Sequence, residues 1–481
     1  MSQFKKMSRT LVAAAVLASI GSMASAGSIS TTALNVAQEA WGTGKDASTV
    51  VTTTASIGYQ FSTPGGIVIN PGGTIHVTLT PANGKFLTAG SVTPPSGTGG
   101  VLTTSTATVN TTSGIIDIAL INTGTTNSVI GVGAIVSVAG GTVNNVQGLA
   151  TGIPMTATGS VGVATGGTEL EAASAPGNIV TSSQAVLVSA ATAATETAKI
   201  DVTTTTTANI GKVLTASLAG SLVETLGTVT FSNATTAAKD LNGASDFNLA
   251  NTTAYPADNT PVTYTLNLLS GSFSNGVVYS LKTGGCAGTT VVAATQAPAA
   301  ILASTTSVTL SSLAVPVNGS AISVCATFPG TQTINPYQAS VAAVLTPAAG
   351  YVGETQAATA MYNLGYNGAS VTVRNYIPAA VTGYQQTVRL INTGSSAAMA
   401  YVSVIDDVTG TATTPVAVGG VMAVGAAQRL SQATIEAAVG AIPASARPRL
   451  RFTAATGSME AQSFFNNANG AYTNLNGQDS N

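Results

Sequence analysis

The sequence predicts an all-β protein made of β-sandwiches, and three observations support this. Short segments rich in β-branched residues recur along the chain, and many of them alternate apolar with polar residues. Clusters of Gly, Pro, Asn or Ser separate these segments at short intervals. Thr and Val, which favour pleated and half-buried surfaces, take the places that charged residues usually fill.

The chain begins with a segment that is typical of an export signal and not of a folded domain. Lys5, Lys6 and Arg9 precede an apolar run from Leu11 to Ile20, and small residues follow as far as Ala26. This order of basic, apolar and small residues predicts a bacterial secretory signal peptide over residues 1–26. The apolar run is too short to anchor the chain in a membrane, so no transmembrane segment is expected after its removal.

Strands are predicted wherever β-branched residues alternate along a short segment. The clearest are residues 74–80, 115–120, 262–269, 320–328, 387–392 and 400–406. The best helix candidate is residues 431–440, with Ser431 as the N-terminal cap and Gly440 as the C-terminal stop. A weaker helix candidate covers residues 32–42.

After the signal, the basic residues are lysines in the first part of the chain and arginines in the last part. After the signal, the lysines end at Lys282 and the arginines begin at Arg374. This switch predicts a separate, smaller C-terminal β-sandwich module with one short helix, over residues 371–481.

A faint echo links two segments before that module. Residues 77–86, VTLTPANGKF, and 264–273, YTLNLLSGSF, share Thr-Leu and Gly-x-Phe at equal spacing. The echo is compatible with a duplicated sandwich and also with chance. With the length expected of single domains, it predicts two larger Ig-like β-sandwich domains over residues 27–195 and 196–370.

The chain carries very little charge. Charged residues make up 7% of it, against about 25% in a typical globular protein. Without the three basic residues of the signal, 12 Lys and Arg face 17 Asp and Glu, which gives a net charge of −5. Such a chain has no basic field to hold nucleic acid. Its weak self-repulsion favours association between copies.

Cys286 and Cys325 are the two cysteines of the chain. In an exported protein an even pair of cysteines predicts a disulfide. The bond would close a loop of about 40 residues inside the second predicted sandwich and stabilise it by about 4 kcal/mol.

Residue patterns that support catalysis are absent from the sequence. The single histidine, His76, lies on the polar side of a predicted strand and is expected at the surface. Glu169 and Glu171 lie two apart, which allows a glycosidase pair, but a solvated strand face is the simpler interpretation. No serine-hydrolase elbow, phosphate-binding loop or metal-binding motif is present. The sequence therefore predicts a protein that is not an enzyme.

Asp406 and Asp407 stand where a hairpin should turn. Aspartate is common in turns without any ligand. A surface Ca²⁺ site at this pair is the alternative, and Ca²⁺ is the one cofactor that the sequence leaves open.

Three arginines are concentrated near the C-terminus. Period-two alternation places Arg447, Arg449 and Arg451 on one strand face, and Arg389 has the same place on another strand. Pro448 favours a strand start or an edge strand, where arginines guard against unwanted pairing. The alternative is a docking face for an anionic envelope polymer or an acidic neighbouring subunit.

These features together resemble bacterial surface-layer proteins. The resemblance rests on the signal segment, the strands rich in Thr, Ala, Gly and Val, the low charge and the near absence of His and Cys. Such proteins form two-dimensional coats around cells, often joined by Ca²⁺ or an anionic envelope polymer. The anchoring repeats of Gram-positive members are not found here, so the resemblance leaves the means of attachment open.

The expected function is therefore structural: an exported protein that self-assembles into a homo-oligomeric lattice or filament on a bacterial cell. The alternative is an adhesin or pilus-type subunit that binds a glycan or a host surface. Aromatic candidates for such a binding site are Trp41, Tyr376 and Tyr384, although core packing is the simpler role for each. The expected location is the cell surface or the extracellular space, with the periplasm left open.

Overall fold

A computed structural model of the chain confirms the all-β fold with several sheets arranged as sandwiches. It describes residues 26–104, 107–164, 168–193, 196–203, 209–215, 222–256, 261–288, 301–312, 315–467, 472–474 and 479–480. The predicted signal peptide lies outside this part of the chain, apart from Ala26. No helix within the described ranges is long and apolar enough to cross a membrane.

The strands are short and follow one another closely. In chain order they are β1 Ser28–Thr31, β2 Leu34–Ala37, β3 Val51–Gln60, β4 Ile67–Ile69, β5 Thr74–Ala82, β6 Lys85–Thr93, β7 Gly97–Gly99, β8 Leu102–Thr104, β9 Thr108–Asn110, β10 Ile115–Asn122, β11 Ser128–Ile130, β12 Ile135–Asn144, β13 Met155–Gly162, β14 Glu169–Glu171, β15 Gly177–Ser183, β16 Val186–Thr192 and β17 Val223–Asn233. The order continues with β18 Ala238–Lys239, β19 Asp246–Phe247, β20 Val262–Gly271, β21 Val278–Thr283, β22 Ser307–Ser312, β23 Ala321–Thr327, β24 Tyr337–Leu345, β25 Glu354–Leu364, β26 Ala369–Val373, β27 Tyr384–Asn392, β28 Ala398–Ile405, β29 Val416–Met422, β30 Ala427–Ser431, β31 Arg449–Ala454, β32 Met459–Asn467, β33 Tyr472–Asn474 and β34 Asp479–Ser480.

All six strands singled out in the sequence are present, and so is the predicted helix. Helix α1 covers Gln432–Val439, and the hydroxyl of Ser431 accepts a hydrogen bond from the Thr434 amide. The side chain of Ile435 is buried in the hydrophobic core of the C-terminal module. Ser431 caps the helix and Gly440 ends it, as predicted.

The weaker helix prediction, over residues 32–42, is wrong. Strand β2 occupies this region and pairs in parallel with β15, followed by a short 3₁₀ turn at Gln38–Ala40. The carboxylate of Glu39 is buried and accepts hydrogen bonds from the amides of Ala185 and Val186. These tertiary bonds hold the segment in an extended form that local helix propensity does not predict.

The described residues form two compact units, and the bounds given for each unit apply to the described residues within them. The first consists of Met1–Leu187, Asn233–Pro256 and Pro347–Gly353. Its sheets are a ten-stranded sheet in the order β19-β18-β2-β15-β13-β5-β10-β8, with β14 and β9 attached to β13 and β10, a four-stranded sheet β1-β3-β12-β6 and a three-stranded sheet β4-β11-β7. Alternating burial along β5 and β10 places apolar side chains such as Val77 and Ile118 in the core.

The second unit consists of Val188–Ser232, Ala257–Thr346 and Glu354–Asn481. Two four-stranded sheets, β16-β17-β23-β21 and β22-β20-β24-β25, face each other through ring contacts such as Phe231 with Tyr264. Residues from Ala369 onward form a five-stranded sheet β29-β28-β31-β26-β34 and a four-stranded sheet β30-β27-β32-β33 around a core of their own. The domain boundaries near residues 195 and 370 stay predictions.

One local structure occurs in both units, which we call the asparagine corner: the turn by which the chain leaves one sheet and enters another after a buried asparagine. The two corners are Asn122–Ser128, from β10 to β11, and Asn392–Ala398, from β27 to β28. Residues 121–130 and 391–400 have the same succession of buried, half-buried and exposed positions. Both copies begin with the identical pentapeptide LINTG, at 120–124 and 390–394.

The strands around the two corners also correspond. In one copy, β11 lies between β4 and β7 while β10 lies between β5 and β8; in the other, β28 lies between β29 and β31 while β27 lies between β30 and β32. The chain order differs, because the consecutive strands β4 and β5 precede their corner whereas the consecutive strands β29 and β30 follow theirs. The same six-strand packing therefore arises from two connectivities.

Candidate functional site

The arginine-rich strand β31 lies inside its sheet. It pairs with β28 on one side and β26 on the other. The prediction of an edge strand is therefore wrong, although the strand does start directly after Pro448. The carbonyl of Pro448 accepts a hydrogen bond from the Tyr376 amide, so the proline is tied to a neighbouring segment before the ladder begins.

Arg451 extends from this strand to residues of the preceding sandwich in the same unit. Its Nη1 donates to Oδ1 of Asn335 at 3.2 Å, and its guanidinium lies 5.9 Å from the centre of the Tyr366 ring, within cation–π range. Asn335 is buried, and its backbone and side-chain amides donate to the Ser274 hydroxyl and the Phe273 carbonyl. Arg451 is thus held in one orientation.

Arg449 is more open. Its Nε donates to Oδ1 of Asp407 at 2.8 Å, and the two side chains keep 40% and 48% of their surface exposed. The loop that carries Asp407 is fixed in turn, because the Thr411 hydroxyl accepts a hydrogen bond from the side-chain amide of Asn275. The ion pair is therefore partly exposed to solvent, while the loop that carries Asp407 is held in position.

These side chains border a polar cavity of about 790 Å³, which we call the arginine cleft. Its lining combines the two arginines and Asp407 with hydroxyl, amide, glycine and aromatic residues from several strands and loops of the second unit. They are Ser270, Gly271, Ser272, Ala303, Ser304, Pro336, Tyr337, Asn363, Leu364, Gly365, Tyr366, Gly368, Ser370, Thr372, Asp407, Val408, Gly410, Arg449, Arg451 and Gly457. At the rim, Val408 is 90% exposed.

The four predicted arginines do not form one face. Arg447 precedes β31, and its guanidinium donates to the carbonyls of Ala444 and Ala446 in its own loop. Arg389 lies on β27 in the other sheet of the module, where it donates to Gln462. The structure therefore brings together Arg449 and Arg451 alone.

Asp406 forms the predicted turn. Its Oδ1 accepts hydrogen bonds from the amides of Val408 and Thr409 and from the Thr409 hydroxyl, and these bonds lower the pKa of Asp406. Asp407 turns instead toward Arg449. Across the described ranges, His, Cys, Asp and Glu side chains do not gather in groups of three or more that suit a metal ion.

The predicted disulfide is confirmed. Cys286 and Cys325 are bonded, with 5.6 Å between their Cα atoms, and both are buried. Cys325 lies on β23, and Cys286 follows the end of β21. The bond thus joins a strand to the loop after its neighbour, as is typical of proteins in oxidising compartments.

Glu171 is not on a solvated face, so this prediction is wrong. Its side chain is fully buried, whereas Glu169 two residues earlier is exposed. Oε2 accepts from the hydroxyl of Tyr59 at 2.6 Å, and Oε1 accepts from both amides and the hydroxyl of the Ser62–Thr63 segment. The carboxylate closes a loop in the first unit and does not pair with Glu169.

His76 faces away from Val77 as predicted, but it is only partly exposed. Its Nδ1 lies 2.9 Å from Oδ2 of Asp117 on the neighbouring strand β10.

Among the aromatic candidates, Trp41 and Tyr376 are buried, in agreement with core packing. Tyr384 is 45% exposed and stacks on Phe465, so core packing was the wrong prediction for it.

A buried glutamate in the second unit was missed. Glu224 on β17 shares one row of its sheet with Ala326 and Tyr279. Neither carboxyl oxygen has a hydrogen-bond partner among the described residues. Burial raises the pKa of Glu224 well above its usual range, and the nearby Glu196 adds to this while Lys199 opposes it. A bulge between Thr225 and Gly227 shifts the alternation of β17, so the sequence pattern alone does not place Glu224 inside.

Comparisons with known proteins place the chain in no family. No family model and no curated protein matches it. Some solved structures align over much of the chain, but with low TM-scores. One described as "Complete structure of manganese lipoxygenase of Gaeumannomyces graminis and partial structure of zonadhesin of Komagataella pastoris" is 12% identical, covers 70% of this chain and 94% of that chain, and has a TM-score of 0.21.

A second, described as "Streptococcus agalactiae AgI/II polypeptide BspA C terminal domain (WT)", is 8% identical, covers 64% of this chain and 91% of that chain, and has a TM-score of 0.18. A variant described as "BspA_C_mut" is 10% identical, covers 65% and 92%, and has a TM-score of 0.20. Scores of this size do not show a shared fold, so these structures carry no argument about this chain.

Proposed function

We propose that this protein is exported to the bacterial cell surface and acts there by binding a glycan in the arginine cleft. The cleft is the observation that carries the proposal. Its volume of about 790 Å³ lies within the range of small-molecule sites, roughly 300–1,000 Å³. It is formed by residues of several strands and of the loops between them in the second unit.

The lining suits a ligand with many hydroxyl groups. Serine and threonine hydroxyls both donate and accept hydrogen bonds, and the Asn363 amide offers both functions as well. Aliphatic side chains contribute little to this lining, whose larger apolar members are Leu364 and Val408. A lining of this kind matches a sugar better than a lipid or an apolar peptide.

Binding fits the lining better than catalysis does. Of the described residues that border the cleft, Asp407 supplies the carboxylate, and it is already paired with Arg449. Hydrolysis of a glycoside usually requires two carboxylates on opposite sides of the bond. The proposal is therefore a binding protein of adhesin type.

The disulfide supports an exported location for this function. A buried Cys286–Cys325 bond is stable in the oxidising space outside the cytoplasm. The predicted signal peptide points the same way.

A glycan array with the purified protein, followed by calorimetry on the bound glycans, tests the proposal. Ser304 is exposed at the cleft, so Ser304→Trp should block binding without disturbing the fold. Ala433→Trp, on the exposed side of helix α1, is the matched control and should bind normally. Absence of binding to any glycan, or equal binding by both variants, would overturn the proposal.

Self-assembly into a surface layer is the second candidate. It is supported by apolar side chains that remain exposed on the first unit: Val68, Val101 and Val132 are 55%, 59% and 61% exposed. On a surface with so little charge, such residues favour contacts between copies. Electron microscopy of cell envelopes tests this candidate. A regular array that re-forms from purified protein is the expected result, and a protein that stays monomeric at high concentration contradicts it.

A further inference from the structure

The arginine cleft holds hydrogen-bond donors that the protein itself does not use. A guanidinium has five N–H donors in a fixed planar arrangement. Arg449 directs its Nε to Asp407. Within the part of the chain that the structure describes, its two terminal nitrogens have no protein acceptor, and the side chain is 40% exposed. These donors are available to a ligand in the cleft.

The charge of the cleft favours an anion. Two guanidinium groups, Arg449 and Arg451, face one carboxylate, Asp407, and the other lining residues are neutral. The cleft is therefore a positive site in a chain with a formal net charge of −2. A cleft of one sign concentrates ligands of the opposite sign. The Asp406 carboxylate in the adjacent turn does not line the cleft and is bonded to the amides of Val408 and Thr409.

The two arginines have different roles in this arrangement. Arg451 is fixed by the buried Asn335 and by the Tyr366 ring, so it contributes a constant charge. Arg449 lies two residues earlier on the same face of β31, about 7 Å away by strand geometry, with its terminal nitrogens open. The planar fork of a guanidinium matches a carboxylate with two parallel hydrogen bonds.

We propose that the ligand is an acidic saccharide of the uronic acid type, whose carboxylate binds the terminal nitrogens of Arg449. The sugar hydroxyls bond the serine, threonine and asparagine side chains of the lining. This inference rests on the proposed glycan-binding function and specifies the ligand class. Asp407 orients Arg449 and keeps the empty cleft from carrying two uncompensated positive charges.

Calorimetry with three soluble probes tests the inference: short oligogalacturonates, maltotetraose as a neutral oligosaccharide, and dextran sulfate as a sulfated one. We expect binding of oligogalacturonate that weakens with added salt, and much weaker binding of the other two. Arg449→Gln should lower the affinity for oligogalacturonate by about tenfold or more, and Arg449→Lys should recover only part of it.

Two further variants make the test specific. Arg429→Gln removes an exposed arginine of β30 outside the cleft and should leave the affinity unchanged. Asp407→Asn keeps an oxygen for the Arg449 Nε but removes the competing charge, so it should raise the affinity. Thermal melts of all variants establish that they are folded.

The outcomes separate this inference from the function on which it rests. Binding of maltotetraose that is insensitive to Arg449→Gln would overturn the acidic ligand and leave glycan binding standing. Preference for dextran sulfate would overturn the carboxylate class. If none of the probes and no glycan on the array binds, the proposed function itself fails.

Discussion

Asn122 and Asn392 share three side-chain hydrogen bonds in two corners that belong to different units, and Oδ1 of Asn392 accepts a fourth from the Thr456 hydroxyl. The side-chain amide of each donates to the carbonyl four residues ahead, in Thr126 or Ser396, at 2.8 Å in both cases. Each also donates to the end of a neighbouring strand, at Ile69 or Met422. Each Oδ1 accepts from the glycine amide two residues ahead, and both asparagines are fully buried.

Replacing either asparagine by alanine should destabilise its own unit. Asn122→Ala and Asn392→Ala each leave one buried carbonyl, of Ile69 or Met422, and further backbone groups of the corner without their partner, which costs about 3 kcal/mol. Denaturant unfolding measures the loss, and hydrogen exchange assigns it to one unit. Asn127→Ala, an exposed asparagine in the first corner, is the control. A similar loss in the control would contradict the role of the buried amide.

Breaking the disulfide should destabilise the second unit. Cys286 and Cys325 are 39 positions apart, and closing a loop of this length stabilises a fold by about 4 kcal/mol. The double variant Cys286→Ser/Cys325→Ser should therefore unfold at lower denaturant concentration, whereas the first unit should keep its midpoint. Unfolding with and without reductant checks this. An equal shift in both units would show that the bond does not act locally.

Glu224 should make the second unit less stable as the pH rises. Its pKa is raised in the folded state, so above about pH 4.5 the unfolded chain is ionised while the folded carboxyl stays protonated. Folding then takes up a proton, and stability falls by on the order of 1 kcal/mol per pH unit until the folded pKa is reached. Below about pH 4.5 the Glu224 carboxyl is protonated in both the folded and the unfolded state, so this loss of stability disappears.

Glu224→Gln removes the ionisation while keeping the shape. The variant should be more stable than the parent at pH 7 and equal to it near pH 4, as measured by thermal melts across this range. Glu169→Gln, at an exposed glutamate, should show no such pH-dependent gain. A parent protein more stable than Glu224→Gln at pH 7 would mean that the buried carboxyl is charged and paired.

Replacing Glu171 should destabilise the first unit far more than replacing the exposed Glu169. Glu171→Ala removes the acceptor of four hydrogen bonds from Tyr59, Ser62 and Thr63, and we expect a loss of about 3 kcal/mol or more. Tyr59→Phe removes one of the four and should cost about 1 kcal/mol. Denaturant unfolding ranks the variants. Glu169→Ala should fall within about 0.5 kcal/mol of the parent.

The sequence was sufficient to predict the elements that depend on local patterns. Alternation of β-branched residues placed strands such as β5 and β27, and the Ser431 cap with Gly440 placed the single described helix. These patterns work because burial on one face and capping of free amides are local requirements. The disulfide followed from the number of cysteines.

Long-range relationships were not predictable in the same way. Nothing local to residues 447–451 shows that β26 and β28 pair on both sides of β31, so the edge prediction failed. Glu171 is buried because Tyr59 and Thr63 come to it from more than a hundred positions away. In the cleft, Arg449 and Arg451 were found from sequence, but Asn335 and Tyr366 were not, because only the fold brings them there.

The asparagine corner has a signal in the sequence, because LINTG occurs twice, and this identity is more exact than the echo between residues 77–86 and 264–273. An exact pentapeptide with the same strand pattern on both sides is the better signal of a repeated structure. The third residue of each LINTG segment is the buried asparagine, Asn122 or Asn392.

The two orders of the partner strands around the asparagine corners have a practical consequence. Because the shared asparagine hydrogen bonds form whether these strands come earlier or later along the chain, the corner does not depend on how its strands are connected. The entropic cost of closing a loop rises only slowly with the length of the loop. A circularly permuted C-terminal module, opened in an exposed loop such as that between β28 and β29, should therefore still fold. This makes the corner a transferable building block for engineered β-sandwiches.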